Sequence, residues 1–274
     1  MAPKKRARNG SAHRMVGAAL AALRKKSGRT QREFAREFKM SEGLLSSIEQ
    51  GRRALHPAMA VQMDEFLDSG GVLTVLVANL PEADLIEQWY EEFLEEERRA
   101  HYIQCYEIWL IPGLLQTAAY AEALFLNRVP AYGAEEITDR LEDRLRRKEI
   151  FLREEPPNVC FVICELALRS PVGGRKVWLE QLRHVRECCD LRNVTVQILP
   201  VGGAEHCGSL GPFRIMETSE ADRLVYAEGA MGTVLITDPK NIRDRYQLMG
   251  TLRSRAFSPQ DSKTLLDKLI LEAQ

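Results

Sequence analysis

The chain has 274 residues, 45% of them hydrophobic and 28% charged, with only six cysteines; this allows one small and one larger globular domain and excludes a disulfide scaffold. No run of about 18 uncharged apolar residues occurs, and the basic first residues lead into no apolar signal-peptide core, so a cytoplasmic protein is expected. The net charge of −1 conceals an asymmetry: residues 1–53 carry 14 Lys/Arg against 4 Asp/Glu, and residues 54–274 carry 24 against 35. A block at +10 joined to a remainder at −11 suggests a polyanionic partner for the block, although a solvated basic face has the same composition.

Residues 1–10 read as a basic arm. Lys4, Lys5, Arg6 and Arg8 repel one another and offer no apolar surface, so disorder is expected. Ser11 is placed to cap a helix from about His13 to Lys26, with Met15, Val16, Ala19, Leu20 and Leu23 on one face. Gly28 ends it. Thr30 and Glu33 form a capping box for a second helix that buries Phe34, Ala35 and Phe38. After a break at Lys39 to Glu42, Ser41 caps a third helix to about Gln50, with Leu45 and Ile48 inward and Gly51 as its stop. A fourth helix, about Pro57 to Asp68, buries Met59, Met63, Phe66 and Leu67. Two short helices across a tight turn, with helices on either side, form a helix-turn-helix arrangement, the alternative being a small helical bundle of another purpose.

The run Thr30-Gln31-x-Glu33-x-Ala35, followed by Ser41 to Gly51 with Ser46, Ile48, Glu49 and Gly51 in register, resembles the Cro/C1-type (XRE) helix-turn-helix family. The resemblance implies that the third helix enters the major groove of double-stranded DNA, with Glu42, Gly43, Leu44 and Ser47 at the base edges behind the Ser41 cap. Gln31 and Ser46 are placed to bond phosphate, and Arg52 and Arg53 to reach backbone phosphates. The arm would add contacts in a neighbouring groove. Common family members carry Gln, Lys or Arg at the base-reading positions. Here Glu42 could accept from cytosine N4 and Leu44 could touch a thymine methyl, and neither makes the strong arginine–guanine pair.

Beyond Pro81, which marks a joint, residues from about Ala83 to Gln104 read as helical. Leu85, Ile86, Trp89, Tyr90, Phe93 and Leu94 form its apolar stripe, packed on its own domain rather than serving as a free dimer helix. Pro112-Gly113 breaks the chain, and Thr117 can cap a helix over Ala118 to Leu126. A long charged helix is expected from about Ala134 to Arg153. Strands follow at Asn158 to Leu166, Asn193 to Leu199, Phe213 to Glu217, Arg223 to Ala227 and Thr233 to Ile236, with a helix from about Arg175 to Cys189 between the first two. Two last helices cover about Pro239 to Arg255 and Pro259 to Glu272, the latter capped by Ser258. The expected architecture is an all-α helix-turn-helix bundle at residues 11–80 followed by a larger α+β domain at residues 81–274.

Tyr106 to Leu124 resembles the "YEPxLVPGLLQTxxYARAL" signature of an actinobacterial domain of unknown function, the DUF5753 type, which follows an XRE helix-turn-helix. Glu165-x-x-Leu168-Arg169-x-Pro171-Val172-Gly173-Gly174, Asn193 to Pro200, Gly211 to Phe213 and Val225-Tyr226-x-Glu228 continue it in order. Such chains resemble the Scr1-family antitoxin-like regulators, and the resemblance implies control by a small partner protein encoded nearby.

No Walker loop, GxSxG elbow or HExxH motif occurs, so no enzyme is expected. Gly202-Gly203 and Gly208 to Gly211 read as a flexible turn. Cys160 and Cys164 lie about 13 Å apart on one strand and read as buried apolar residues. His184 and Cys188, at i and i+4, would need His206 and Cys207 to complete a metal site, and nothing brings that loop to the helix; neither a metal nor another cofactor is expected. Glu165 and Glu228, at strand ends near Arg169, are candidates for partner or ligand contact, with a structural ion pair equally open. The sequence thus points to a homodimeric transcription regulator reading two half-sites. The alternatives are a ligand-sensing repressor with a small-molecule pocket and an enzyme carrying a DNA-binding head.

Overall fold

The computed structural model describes residues 10–38, 40–80, 93–201, 211–218, 223–229, 232–236 and 239–273. The chain divides into two compact units, Met1–Phe93 with Thr237–Pro239 and Leu94–Ile236 with Lys240–Gln274. The expected joint at Pro81, residues 1–9 of the arm and most of the apolar stripe that starts at Leu85 lie outside the described residues.

The first unit is all-α. Helix α1 (Gly10–Lys26) starts earlier than expected, so Gly10 is helical and Ser11 lies inside the first turn rather than capping it. Val16 and Leu20, four residues apart, point into the core, which leaves Met15 on the flank and 58% exposed. Gly28 takes φ 74°, the left-handed conformation that stops the helix. Helix α2 (Gln31–Glu37) opens on the full capping box: Thr30 Oγ1 accepts from the Glu33 amide at 3.2 Å, and the Glu33 carboxylate accepts from the Thr30 amide at 2.9 Å. Those bonds hold the Glu33 carboxyl below the usual range. Ser41 caps α3 (Glu42–Glu49), accepting from Leu44 N at 3.1 Å. Helix α4 (Pro57–Leu67) has Pro at its first position, where the missing N–H matters least.

A fifth helix, α5 (Val72–Ala78), was not expected from the sequence. Its local N-cap, Gly71, has no side chain to offer. The cap comes from α4 instead: Asp64 accepts from Leu73 N at 3.0 Å and from Thr74 N and Oγ1, each at 2.7 Å, and also from the Ser69 hydroxyl. Burial acts to raise the Asp64 carboxyl, but these bonds outweigh it and hold the group below its ordinary value. Val16, Leu20, Phe34, Leu45, Ile48, Met63 and Leu73 form the core, and Phe34, Phe38 and Phe66 pack with ring centroids 4.8–5.9 Å apart.

The second unit is built on a six-stranded sheet of order β3-β2-β1-β4-β5-β6. Strands β1 (Ala100–Glu107), β2 (Asn158–Cys164) and β3 (Val194–Leu199) are parallel; β4 (Phe213–Thr218), β5 (Arg223–Gly229) and β6 (Gly232–Ile236) continue as an antiparallel meander. The expected helix to Gln104 is corrected here. Residues 93–99 are helical (α6), but Ala100 begins β1, because Ile103, Cys105 and Tyr106 meet partners on both β2 and β4. Helices α7 (Ala118–Leu126) and α8 (Ala134–Arg146) connect β1 to β2; α9 (Glu165–Arg169) and α10 (Arg175–Cys188) connect β2 to β3. The long charged helix ends at Arg146, and Arg147–Leu152 tightens into a 3-10 turn. Arg147 is buried there, paired with Glu97 through two bonds of 2.7 and 2.8 Å.

Helix α11 (Pro239–Arg255) covers one face of the sheet, setting Met249 and Leu252 against Tyr106, Val162, Phe213 and Val225. Helix α12 (Pro259–Glu272), capped by Ser258, packs with α10 and β3. Ser262 Oγ accepts from Ile198 N, and Phe257 N donates to Ile198 O, so the residues after α11 bond the outer edge of β3.

Candidate nucleic-acid interface

Helix α3 is fixed before it meets any partner. Its end lies so close to α1 that a Cβ on Gly17 would sit 2.3 Å from Ile48 O and 2.7 Å from Glu49 O. Gly51, at φ 67°, leaves α3 where a Cβ would lie 2.5 Å from Arg14 Cα. Glu49, the last residue of α3, then joins three helices. Arg24 of α1 donates to it through Nε at 2.5 Å and Nη2 at 3.0 Å, and Gln31 of α2 donates through Nε2 at 2.7 Å. Arg24 also donates to Arg29 O at 2.7 Å. The Arg24 and Glu49 side chains are 7% and 6% exposed, so the pair is shielded and each charge depends on the other.

The positions expected to meet DNA differ in how available they are. Glu42 and Gly43 are exposed on the first turn of α3. Leu44 is half-buried and packs on the core, which withdraws much of it from a groove. Ser41 is committed as the cap, and Ser46 Oγ accepts from Gln50 Nε2 at 2.9 Å. Ser47 is half-buried; its carbonyl accepts from the amides of Arg52 and Arg53 at 2.9 and 3.2 Å, which sets the direction of the chain past α3. Arg52 is exposed and Arg53 half-buried. The Gln31 amide, expected at phosphate, gives one hydrogen to Glu49. Sequence reasoning did not identify the exposed Arg32 and Arg36 of α2, or Lys25 and Lys26 at the end of α1. It also missed the Arg24–Glu49 pair, although each charge lies four residues beyond a core leucine, Leu20 and Leu45, and so on the buried face.

In the second unit, Glu165 opens α9 and accepts from Arg169 Nε at 2.7 Å and from Val201 N at 3.1 Å. Arg169 also comes within 3.9 Å of Glu272. Glu228 lies on β5 opposite Thr233. Three strand spacings separate β5 from β2, roughly 14 Å, so the backbone does not bring Glu228 to the Glu165–Arg169 pair. His184 Nε2 lies 3.8 Å from Cys188 Sγ and 3.3 Å from Lys148 Nζ. Burial pushes the Cys188 thiol up to about 11 and the His184 and Lys148 groups down. Cys160 and Cys164 are buried and unlinked. His206, Cys207 and the glycines at 202, 203 and 208 lie outside the described residues; among the described ones, no three potential metal ligands cluster.

The Pro112-Gly113-Leu114-Leu115-Gln116-Thr117 turn is interior. Gln181, fully buried on α10, accepts from Thr117 N and donates to Leu115 O, both at 2.7 Å. Gln116 donates to Ile111 O at 2.7 Å and accepts from Arg144 at 2.6 Å. A buried pair, Glu107 and Arg214 at 2.8 Å, joins β1 to β4.

Among the described residues no helix is long and apolar enough to cross a membrane. No curated protein and no solved structure matches the chain. Two families do. Residues 16–76 match a helix-turn-helix domain, a span that begins within α1 and ends within α5, and residues 90–268 match the domain of unknown function DUF5753. The second match takes in the whole sheet and well over half the chain. The protein therefore belongs to the DUF5753 family, with a helix-turn-helix DNA-binding domain ahead of that family's domain.

Proposed function

We propose that the protein is a cytoplasmic, sequence-specific transcription regulator that binds double-stranded DNA as a homodimer and is controlled through its larger unit by a small partner protein, as an antitoxin-like regulator is. The observation that carries the DNA reading is a recognition helix held rigid from behind and open in front. The Arg24–Glu49–Gln31 network and the Gly17 contact fix α3, while its first turn is exposed. Exposed Arg32, Arg36 and Arg52 supply positive charge on the flanking segments, and the second amide hydrogen of Gln31 is left for a phosphate. Such contacts provide sequence-independent affinity and fix register.

The larger unit serves in this reading as a binding module and not as an enzyme. Four polar residues withdrawn from its surface, Gln116, Gln181, Arg144 and Arg147, bond to the fold itself. Arg52→Ala tests the DNA reading: affinity should fall by a similar factor for all duplexes, with the slope of log affinity against log salt reduced by about one. Unchanged affinity and slope would refute the phosphate role. Partner control predicts that a small protein encoded beside this one co-purifies with it and alters its DNA affinity; a neighbour that neither binds nor alters affinity would leave the larger unit as a ligand sensor.

A further inference from the structure

We infer that Glu42 is the principal base-discriminating residue and that it selects a cytosine in the major groove, largely by penalising the alternatives. The inference rests on the DNA-binding reading above. Of the positions on this side of α3, Ser41 is committed as a cap, Leu44 packs on the core, the Ser46 hydroxyl accepts from Gln50, and Ser47 is half-buried. Gly43 has no side chain, and a Cβ built there would meet only Ser41 Oγ at 3.9 Å, so the space beside Glu42 is open. Glu42 remains as the exposed, strongly polar group at the front of the helix. Among the described residues no cation pairs with it, whereas Glu49, the other acid of α3, is neutralised by Arg24.

A carboxylate can only accept hydrogen bonds at neutral pH. In the major groove guanine presents two acceptors, N7 and O6, and thymine presents O4 beside a methyl group; both repel it or leave it unpaired. Adenine offers its N6 donor next to the N7 acceptor. Cytosine offers the N4 donor next to a C–H edge, and so satisfies the carboxylate without opposition. The surrounding phosphates repel Glu42 on every duplex, so a site without that donor carries a buried, unpaired charge with no return. Basic residues around α3 supply affinity, and one acid supplies selectivity.

The test is selection from randomised duplexes by the full-length protein and by Glu42→Ala and Glu42→Gln, followed by affinities for the wild-type consensus and its single-pair variants. The wild type should fix one C·G pair per half-site and discriminate against its replacement by about tenfold or more. Glu42→Ala should lose preference at that pair alone, keep it elsewhere, and bind unrelated duplexes more tightly than the wild type does. Glu42→Gln should move the preference toward adenine. Glu42→Ala selecting the same pairs with the same discrimination would overturn the inference. If the wild type bound no duplex, even at low salt, the DNA-binding reading itself would fail, and Arg52→Ala separates these cases because it should weaken binding without changing the selected sequence.

Discussion

At Glu49 a buried carboxylate is held by charge and geometry together, and its loss should show what such a pair is worth. Glu49→Ala leaves the Arg24 guanidinium shielded and unpaired, so the amino-terminal unit should lose about 3–5 kcal/mol in chemical denaturation. Arg24→Met with Glu49→Leu removes both charges and should recover most of that loss; if the double variant were as unstable as the single one, the network would act by more than charge pairing. Asp64 makes a second residue-scale prediction. Its carboxyl titrates below its ordinary value of 3.8, so its contribution is present above that value and is lost as pH falls through the lower, folded one. Asp64→Asn should destabilise the unit by about 1–3 kcal/mol at neutral pH and reduce the loss of stability that the wild type suffers below about pH 4. Equal stability and the same acid profile in both proteins would show that Asp64 does not hold α5. Both residues were hard to read in the sequence for one reason. A polar residue on a helical pattern reads as surface, and only the fold shows Glu49 facing Arg24 from 25 residues away.

Whole elements were legible where their causes are local. Thr30, Ser41, Thr117 and Ser258 each cap the helix expected of them, because an N-cap bond spans only two or three residues. Helix α5 and strand β1 have non-local causes. The first is capped by a residue of the preceding helix; the second follows directly on the glutamate-rich helical run that ends at residue 99 and becomes a strand through pairing on both sides. The turn at 112–117 depends on α10 in the same way. Gln181→Leu has a similar volume and cannot pair with Thr117 N or Leu115 O, so it should destabilise the second unit by roughly 2 kcal/mol or more, measured by thermal unfolding. A stability within a few tenths of wild type would mean that water replaces both bonds.

Across the chain, the basic segment at +10 ends at residue 53, after α3 and inside the first unit, and the remainder at −11 takes in α4 and α5 as well as the larger α+β unit. The order of motifs in the larger unit was legible because its Pro-Gly turns and Val/Ile-rich strands punctuate the chain strongly. The placement of the candidate contact residues there was not: Glu165 accepts from Arg169 and from Val201 N, and Glu228 lies three strands away, which no spacing along one chain could reveal. In this reading the protein recognises a DNA sequence through α3. That recognition is tested most directly by the affinity of the full-length protein for fragments of its own upstream region and for an unrelated duplex, each at two salt concentrations. Preference for one fragment is expected, with affinity that falls steeply with salt on all of them. Equal affinity for every duplex, or none at either salt concentration, would contradict it.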